Sequence, residues 1–123
     1  MPGKVLAVDD DAQMVELMLL ILRKRGYEYT GATSGQQALE LVRNSPPDVI
    51  LLDDMMPTMT GHEVCRRLRA DPATQDIPII MCTARRDTDE YRAICFEVGA
   101  NSLLLKPFTP DSLISAIREF LPD

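Results

Sequence analysis

A chain of 123 residues is long enough to bury one substantial core, and a net charge of −6 leaves DNA or RNA phosphates no basic face to bind. No apolar run approaches the ~20 residues that a membrane-spanning helix needs, and no basic-then-apolar leader opens the chain, so a cytoplasmic protein without a membrane segment is expected. The three cysteines, Cys65, Cys82 and Cys95, lie inside apolar or helical patterns without metal-ligand spacing and read as reduced core residues.

In chain order, Lys4 to Val8 is a short β-prone run that ends in three carboxylates, Asp9, Asp10 and Asp11. From Ala12 to Arg25 apolar residues recur at Val15, Met18, Leu19 and Leu22. Basic residues fill the last turn and Gly26 follows, which predicts a helix. Tyr27 to Thr33 is a weaker strand. Ser34 and Gln37 are spaced as a capping box for a second helix through Ala38, Leu41 and Val42, which ends at Asn44-Ser45-Pro46-Pro47. Val49 to Leu52 is an apolar run of strand length that delivers Asp53 to its carboxyl end, where Pro57 bars a continuing helix or ladder.

Thr60 and Glu63 form a second capping-box pattern, opening a helix through Val64 and Leu68 that Asp71-Pro72 closes. Ile77 to Cys82 is a fourth strand, and Pro78 near its start points to a position toward one edge of the sheet. It ends at Thr83. Arg86 to Val98 reads as a helix stopped by Gly99, Ser102 to Leu105 as a fifth strand ending at Lys106-Pro107, and Thr109 with Pro110 opens a final amphipathic helix. Five repetitions of strand then helix with short connections call for a parallel sheet sandwiched between helices. Residues 1–123 are expected to form one domain with no linker.

The strand ends carry polar residues that packing does not explain: Asp9 and Asp10 after strand one, Asp53 after strand three, Thr83 after strand four and Lys106 after strand five. In a parallel sheet all of these reach the same edge, where open α/β folds bind their ligands. Carboxylates converging to about 4 Å repel by roughly 4 kcal/mol per pair at an effective dielectric near 20, so a cation is expected among them. Hard oxygen donors favour Mg²⁺, with Mn²⁺ able to substitute, and Mg²⁺ keeps water positions that phosphate oxygens can take. With the Lys106 charge and the Thr83 hydroxyl, the pattern describes a receptacle for a phosphoryl group on a carboxylate oxygen.

Four ordered motifs, VDDD at Val8 to Asp11, LLDDMMPTMTG at Leu51 to Gly61, CTA at Cys82 to Ala84 and LLKPF at Leu104 to Phe108, make the whole chain resemble a two-component response-regulator receiver domain. The resemblance implies a flavodoxin-like (βα)5 three-layer sandwich with a parallel sheet of order 2-1-3-4-5, a topology of which a chemotaxis receiver is a standard example. It implies that Asp53 accepts the phosphoryl group, that Asp10, Asp53 and the backbone carbonyl of Met55 bind Mg²⁺ with Asp9 helping through water, and that Thr83 and Lys106 contact the phosphoryl oxygens. It further implies a signalling switch in place of a turnover enzyme, promoting only its own aspartyl phosphorylation and dephosphorylation. The implied donor is a histidine kinase or histidine phosphotransfer protein. A downstream output protein or domain would bind the face built from helix four, strand five and helix five, and a phosphorylation-dependent homodimer is among the permitted assemblies.

The chain departs from the family pattern at Leu103, where an aromatic residue is usual, and at Asp54, read as a solvated loop carboxylate. Met55 and Arg85 occupy positions that influence phosphoryl lifetime in the family. His62 is read as a solvated surface residue and Arg66, Arg67 and Arg69 as a solvated helix face. Met14, Met18 and Met81 are expected in the core, and Met55, Met56 and Met59 over the loop beside the site. Two other functions stay open. A phosphatase of the haloacid-dehalogenase kind would use Asp9 and Asp11, although Gln13, the missing cap insertion and Asp53 argue against it. A pseudo-receiver would keep only the fold, although all five site residues are present.

Overall fold

The computed structural model describes residues 3–84 and 88–122. Among the described residues ten elements alternate: β1 (Lys4–Val8), α1 (Ala12–Lys24), β2 (Glu28–Ala32), α2 (Gly35–Asn44), β3 (Val49–Asp53), α3 (Gly61–Ala70), β4 (Ile79–Thr83), α4 (Asp89–Glu97), β5 (Ser102–Leu105) and α5 (Pro110–Arg118). All strand pairs are parallel and the order is β2-β1-β3-β4-β5, the flavodoxin-like arrangement. Every residue of β3 is buried, as its unbroken apolar run requires of a central strand covered on both faces.

Period-two alternation divides the core. Leu6, Val8, Ile50, Leu52, Ile79 and Met81 face Ala38, Val42, Val64, Leu68, Tyr91 and Cys95 of α2, α3 and α4. Val5, Ala7, Leu51, Ile80 and Cys82 face Met18, Ile21, Leu22, Leu113, Ile114 and Ile117 of α1 and α5. Each fully buried Leu or Ile contributes ~2 kcal/mol. The three cysteines are free and buried, and burial pushes the Cys65 and Cys82 thiols up to about 12, which keeps them protonated and inert.

Several expectations need correction. β4 begins at Ile79, two residues late, and lies beside the edge strand β5, toward one edge of the sheet as Pro78 suggested. Pro78 stands just outside it, where its missing N–H costs nothing and its carbonyl still accepts from Ile50 N at 3.0 Å. The expected start of α4 at Arg86 lies outside the described residues, and the described helix begins at Asp89 with Thr88 as its N-cap. Ser34 and Thr60 cap α2 and α3, but the reciprocal halves of their boxes differ: Gln37 accepts from Thr33 N, and Glu63 pairs with Arg66 and Arg67. The reciprocal box forms instead at Thr109 and Ser112, with Pro110 at the first helical position.

Arg69 is not part of a solvated face. Its guanidinium donates to the carbonyls of Gly99, Gln75 and Ile77 and to Asn101 Oδ1 at 2.8–3.0 Å, clamping α3 to the turns that lead into β4 and β5. Gly99, at φ +115°, packs so closely under it that a Cβ would meet Arg69 Cγ at 2.5 Å. The methionines divide: Met18, Met56 and Met81 are core residues, Met14 and Met59 pack against the core, and Met55 is 53% exposed.

Candidate functional site

Because all five strands run the same way, their carboxyl ends converge on an open cavity of about 390 Å³ lined by Asp9, Asp10, Asp11, Met14, Asp53, Asp54, Met55, Ala84 and Lys106. Lys106 Nζ donates to Asp9 Oδ2 at 2.6 Å and to Asp53 Oδ1 at 3.0 Å, joining the ends of β1, β3 and β5. Asp9 and Asp53 are 2% and 5% exposed, while Asp10 is exposed to solvent. The other oxygen of Asp9 accepts from Asp11 N at 2.9 Å, so both its oxygens are oriented. The peptide bond between Lys106 and Pro107 is cis.

Burial is the largest influence on Asp53 and raises its pKa, Lys106 opposes it, and Asp9 and Asp10 add to the rise, leaving the carboxyl pushed up to about 6. Burial alone would lower the Lys106 pKa, but the hydrogen bonds to Asp9 and Asp53 and their charges outweigh it and hold the ammonium above the ordinary lysine value. With all three carboxylates ionised, one ammonium leaves an excess of two negative charges at the site. Carboxylate oxygens of Asp9, Asp10 and Asp53 lie within 4.8 Å of one another, an all-oxygen donor set of the kind Mg²⁺ takes.

Of the residues expected here, Asp9, Asp10, Asp53, Met55 and Lys106 line the cavity. Thr83 does not: it is fully buried at the end of β4, with Ala84 presented in its place, and its carbonyl accepts from Lys106 N at 2.8 Å. Asp11 caps α1 by accepting from Gln13 N at 3.0 Å, which occupies an oxygen that a phosphatase would need as acid or base.

Two residues were misread from sequence. Asp54 is 1% exposed and accepts a 2.5 Å hydrogen bond from Tyr91 Oη, 37 residues away on α4. His62 is half-buried with Nε2 3.2 Å from the same Oη and 3.7 Å from Cys95 Sγ, its ring edge-on to that of Tyr91. Burial first, then the bond to Asp54, raises the Tyr91 pKa, so this hydroxyl is a donor. The signal in the sequence was an acid directly after a buried strand, on the parity of Leu52, with a tyrosine on a later helix.

Gly61 is the tightest point in the backbone that supports the site. A Cβ there would lie 2.2 Å from the carbonyl oxygen of Asp53 and 2.9 Å from Cα of Asp54. Both obstacles are main chain and neither can rotate away, so Gly61→Ala is expected to cost about 3 kcal/mol in denaturant melts. Wild-type stability in this variant would show that the loop after β3 has slack that the structure does not have.

Comparison with known proteins follows the geometry. The profile described as the response regulator receiver domain matches residues 5–118. The DNA-binding response regulator MtrA of Mycolicibacterium paratuberculosis is 42% identical over 118 residues, which cover 96% of this chain and 51% of that protein. The chain thus spans about half the length of that relative. The solved chemotaxis protein CheY4 of Vibrio cholerae superposes with a TM-score of 0.92 at 34% identity, covering 98% of this chain and 100% of that one. The receiver domain of the Pseudomonas aeruginosa sensor histidine kinase PA1611, solved with a magnesium ion in its active-site cleft, gives 0.88 at 28% identity with both chains fully covered.

Proposed function

The chain belongs to the response regulator receiver domain family, and from that membership we propose that residues 1–123 are one cytoplasmic signalling switch in which Asp53 accepts a phosphoryl group from a phosphohistidine on a kinase or phosphotransfer protein. The observation that carries this reading is the bridging of Asp9 and Asp53 by Lys106, with Asp10 beside them, at the open carboxyl edge of the sheet. A carboxylate oxygen of Asp53 attacks phosphorus, the phosphorus–nitrogen bond breaks with its electron pair going to the imidazole, and the imidazole takes a proton from solvent. Lys106 neutralises charge on the transferring group, and Thr83, buried at the end of β4, would have to turn its hydroxyl toward the cavity to reach the phosphoryl oxygens. Asp9, Asp10, Asp53 and the carbonyl of Met55 would hold Mg²⁺, which when bound neutralises phosphoryl charge.

The same residues promote later hydrolysis of the acyl phosphate, in keeping with a switch. Its output face is formed by α4, β5 and α5, which expose Ile94, Phe96 and Leu105. The occupant of that face is an output protein or domain, or a second phosphorylated copy. The acidic balance gives this segment no electrostatic basis for holding DNA itself.

Intact mass after incubation with acetyl phosphate tests the proposal. One phosphoryl increment is expected, dependent on Mg²⁺, labile to hydroxylamine and mapping to the peptide that contains Asp53. Absence of an adduct on folded, Mg²⁺-loaded protein would favour a module that uses the fold alone.

The raised Asp53 pKa has a consequence for metal binding. Mg²⁺ requires the ionised carboxylate, so acidification through about 6 protonates Asp53 and removes one negative ligand. Affinity measured by calorimetry is expected to fall about tenfold per pH unit below that point and to level off above it. A flat profile between about pH 5 and about pH 7.5 would take Asp53 out of the ligand set.

A further inference from the structure

The function proposed above makes no use of the hydrogen-bonded group formed by Asp54, which borders the cavity next to Asp53, with Tyr91 and His62. Asp54 shares the parity of Ile50 and Leu52, and its carboxylate is buried, 1% exposed, against Tyr91 of α4. A carboxylate there costs free energy unless it is hydrogen-bonded, and Tyr91 Oη supplies a 2.5 Å bond. Apolar packing of the same volume would hold these elements together without that cost, so the polar contact adds geometric specificity that packing does not.

The two ends of this contact are fixed differently. Asp54 is pinned by its own backbone, its N–H donating to Cys82 O at 3.2 Å and its carbonyl accepting from Gly61 N at 2.9 Å. Tyr91 is the third residue of α4, and only residues 84–88 separate that helix from Thr83 at the end of β4. Lys106 contacts Asp53 through Nζ and donates its backbone N–H to Thr83 O at 2.8 Å, so a group added to Asp53 acts on the end of β4 and through it on the first turn of α4, while Asp54 stays in place. A hydrogen bond of this length and direction is lost with a displacement of about 1 Å.

We propose that the Asp54–Tyr91–His62 contact is a latch that positions α4 in the unphosphorylated protein and opens when Asp53 is phosphorylated, making Tyr91 a positioning residue for the switch. The inference rests on the function proposed above. Because the bond is made in one state only, removing it shifts the equilibrium toward the other state and tightens binding of any ligand that prefers that state.

Beryllofluoride, a phosphoryl mimic that forms no hydrolysable ester, is the probe, added with Mg²⁺ to the full chain. In protein labelled at tyrosine Cζ, the Tyr91 resonance, identified by its loss in Tyr91→Phe, is expected to move on saturation, while those of Tyr27 and Tyr29 stay. The Tyr91→Phe variant is expected to bind beryllofluoride about tenfold more tightly than wild type. An unmoved Tyr91 resonance together with affinities equal within about twofold would make the contact ordinary packing and overturn the latch. Weaker binding by the variant would assign the bond to the activated state and overturn the proposed direction. No Mg²⁺-dependent beryllofluoride complex with wild type would overturn the phosphoacceptor reading itself, and the latch with it, a result distinct from the other two.

Discussion

Asp53→Asn is expected to abolish phosphoryl uptake and, in the same protein, to raise stability when metal is chelated. The amide has no nucleophilic oxygen for phosphorus, so the adduct seen by intact mass should vanish. Stability rises because the native fold holds the wild-type carboxylate in an unfavourable place, its pKa at about 6 against an ordinary 3.8. Each unit of that difference corresponds to ~1.4 kcal/mol, and loss of the contact with Lys106 offsets part of it, leaving an expected gain of about 1–3 kcal/mol near neutral pH.

The sign of the pH dependence follows from the direction of the shift. A carboxyl whose folded pKa is raised binds its proton more tightly in the native state, so the wild type carries the full penalty above about 6 and sheds it as pH falls toward 3.8. The advantage of Asn is therefore largest near neutral pH and disappears on acidification. Chemical denaturation with chelator at about pH 7.5 and about pH 4.5 reads both ends. Uptake that survived in Asp53→Asn would move the acceptor to another carboxylate, and equal stabilities at neutral pH would mean that Asp53 is not held against its preference.

Lys106→Met should have the second largest effect, and it separates the catalytic role of the ammonium from its structural one. Asp9 and Asp53, 2% and 5% exposed, would lose the cation that lies 2.6 and 3.0 Å from them. Removing one partner of a buried ion pair costs about 3 kcal/mol, and that loss should appear in chelated protein. Saturating Mg²⁺ should restore much of it, because a divalent ion compensates the same carboxylates and binds only the folded chain. Phosphoryl uptake should still fall by about 10²–10³-fold with Mg²⁺ present, since a donor aimed at developing charge is worth that much. Uptake at the wild-type rate in the refolded, Mg²⁺-loaded variant would leave Lys106 a purely structural role.

The sequence by itself was sufficient for the five strand and helix repeats, because periodicities of two and 3.6 residues and the caps at Ser34, Thr60 and Thr109 are properties of local segments. It was also sufficient for the convergence of Asp9, Asp10, Asp53 and Lys106. Parallel strands with right-handed crossovers send all their carboxyl ends to one edge whatever the details of packing. Pro78 pointed toward one edge, and β4 does lie beside the edge strand β5, but only the register shows that the strand starts one residue after the proline.

What tertiary structure alone decided was the environment of each polar side chain. Asp54, His62 and Arg69 look like solvated residues in sequence. Their partners lie between 6 and 37 residues away, mostly on other elements, and become partners only when α3 and α4 settle against β3 and β4. A buried acid and an exposed one are the same letter. The difference is whether a distant donor such as Tyr91 arrives to satisfy it, and that depends on how the helices pack and not on the residues beside it.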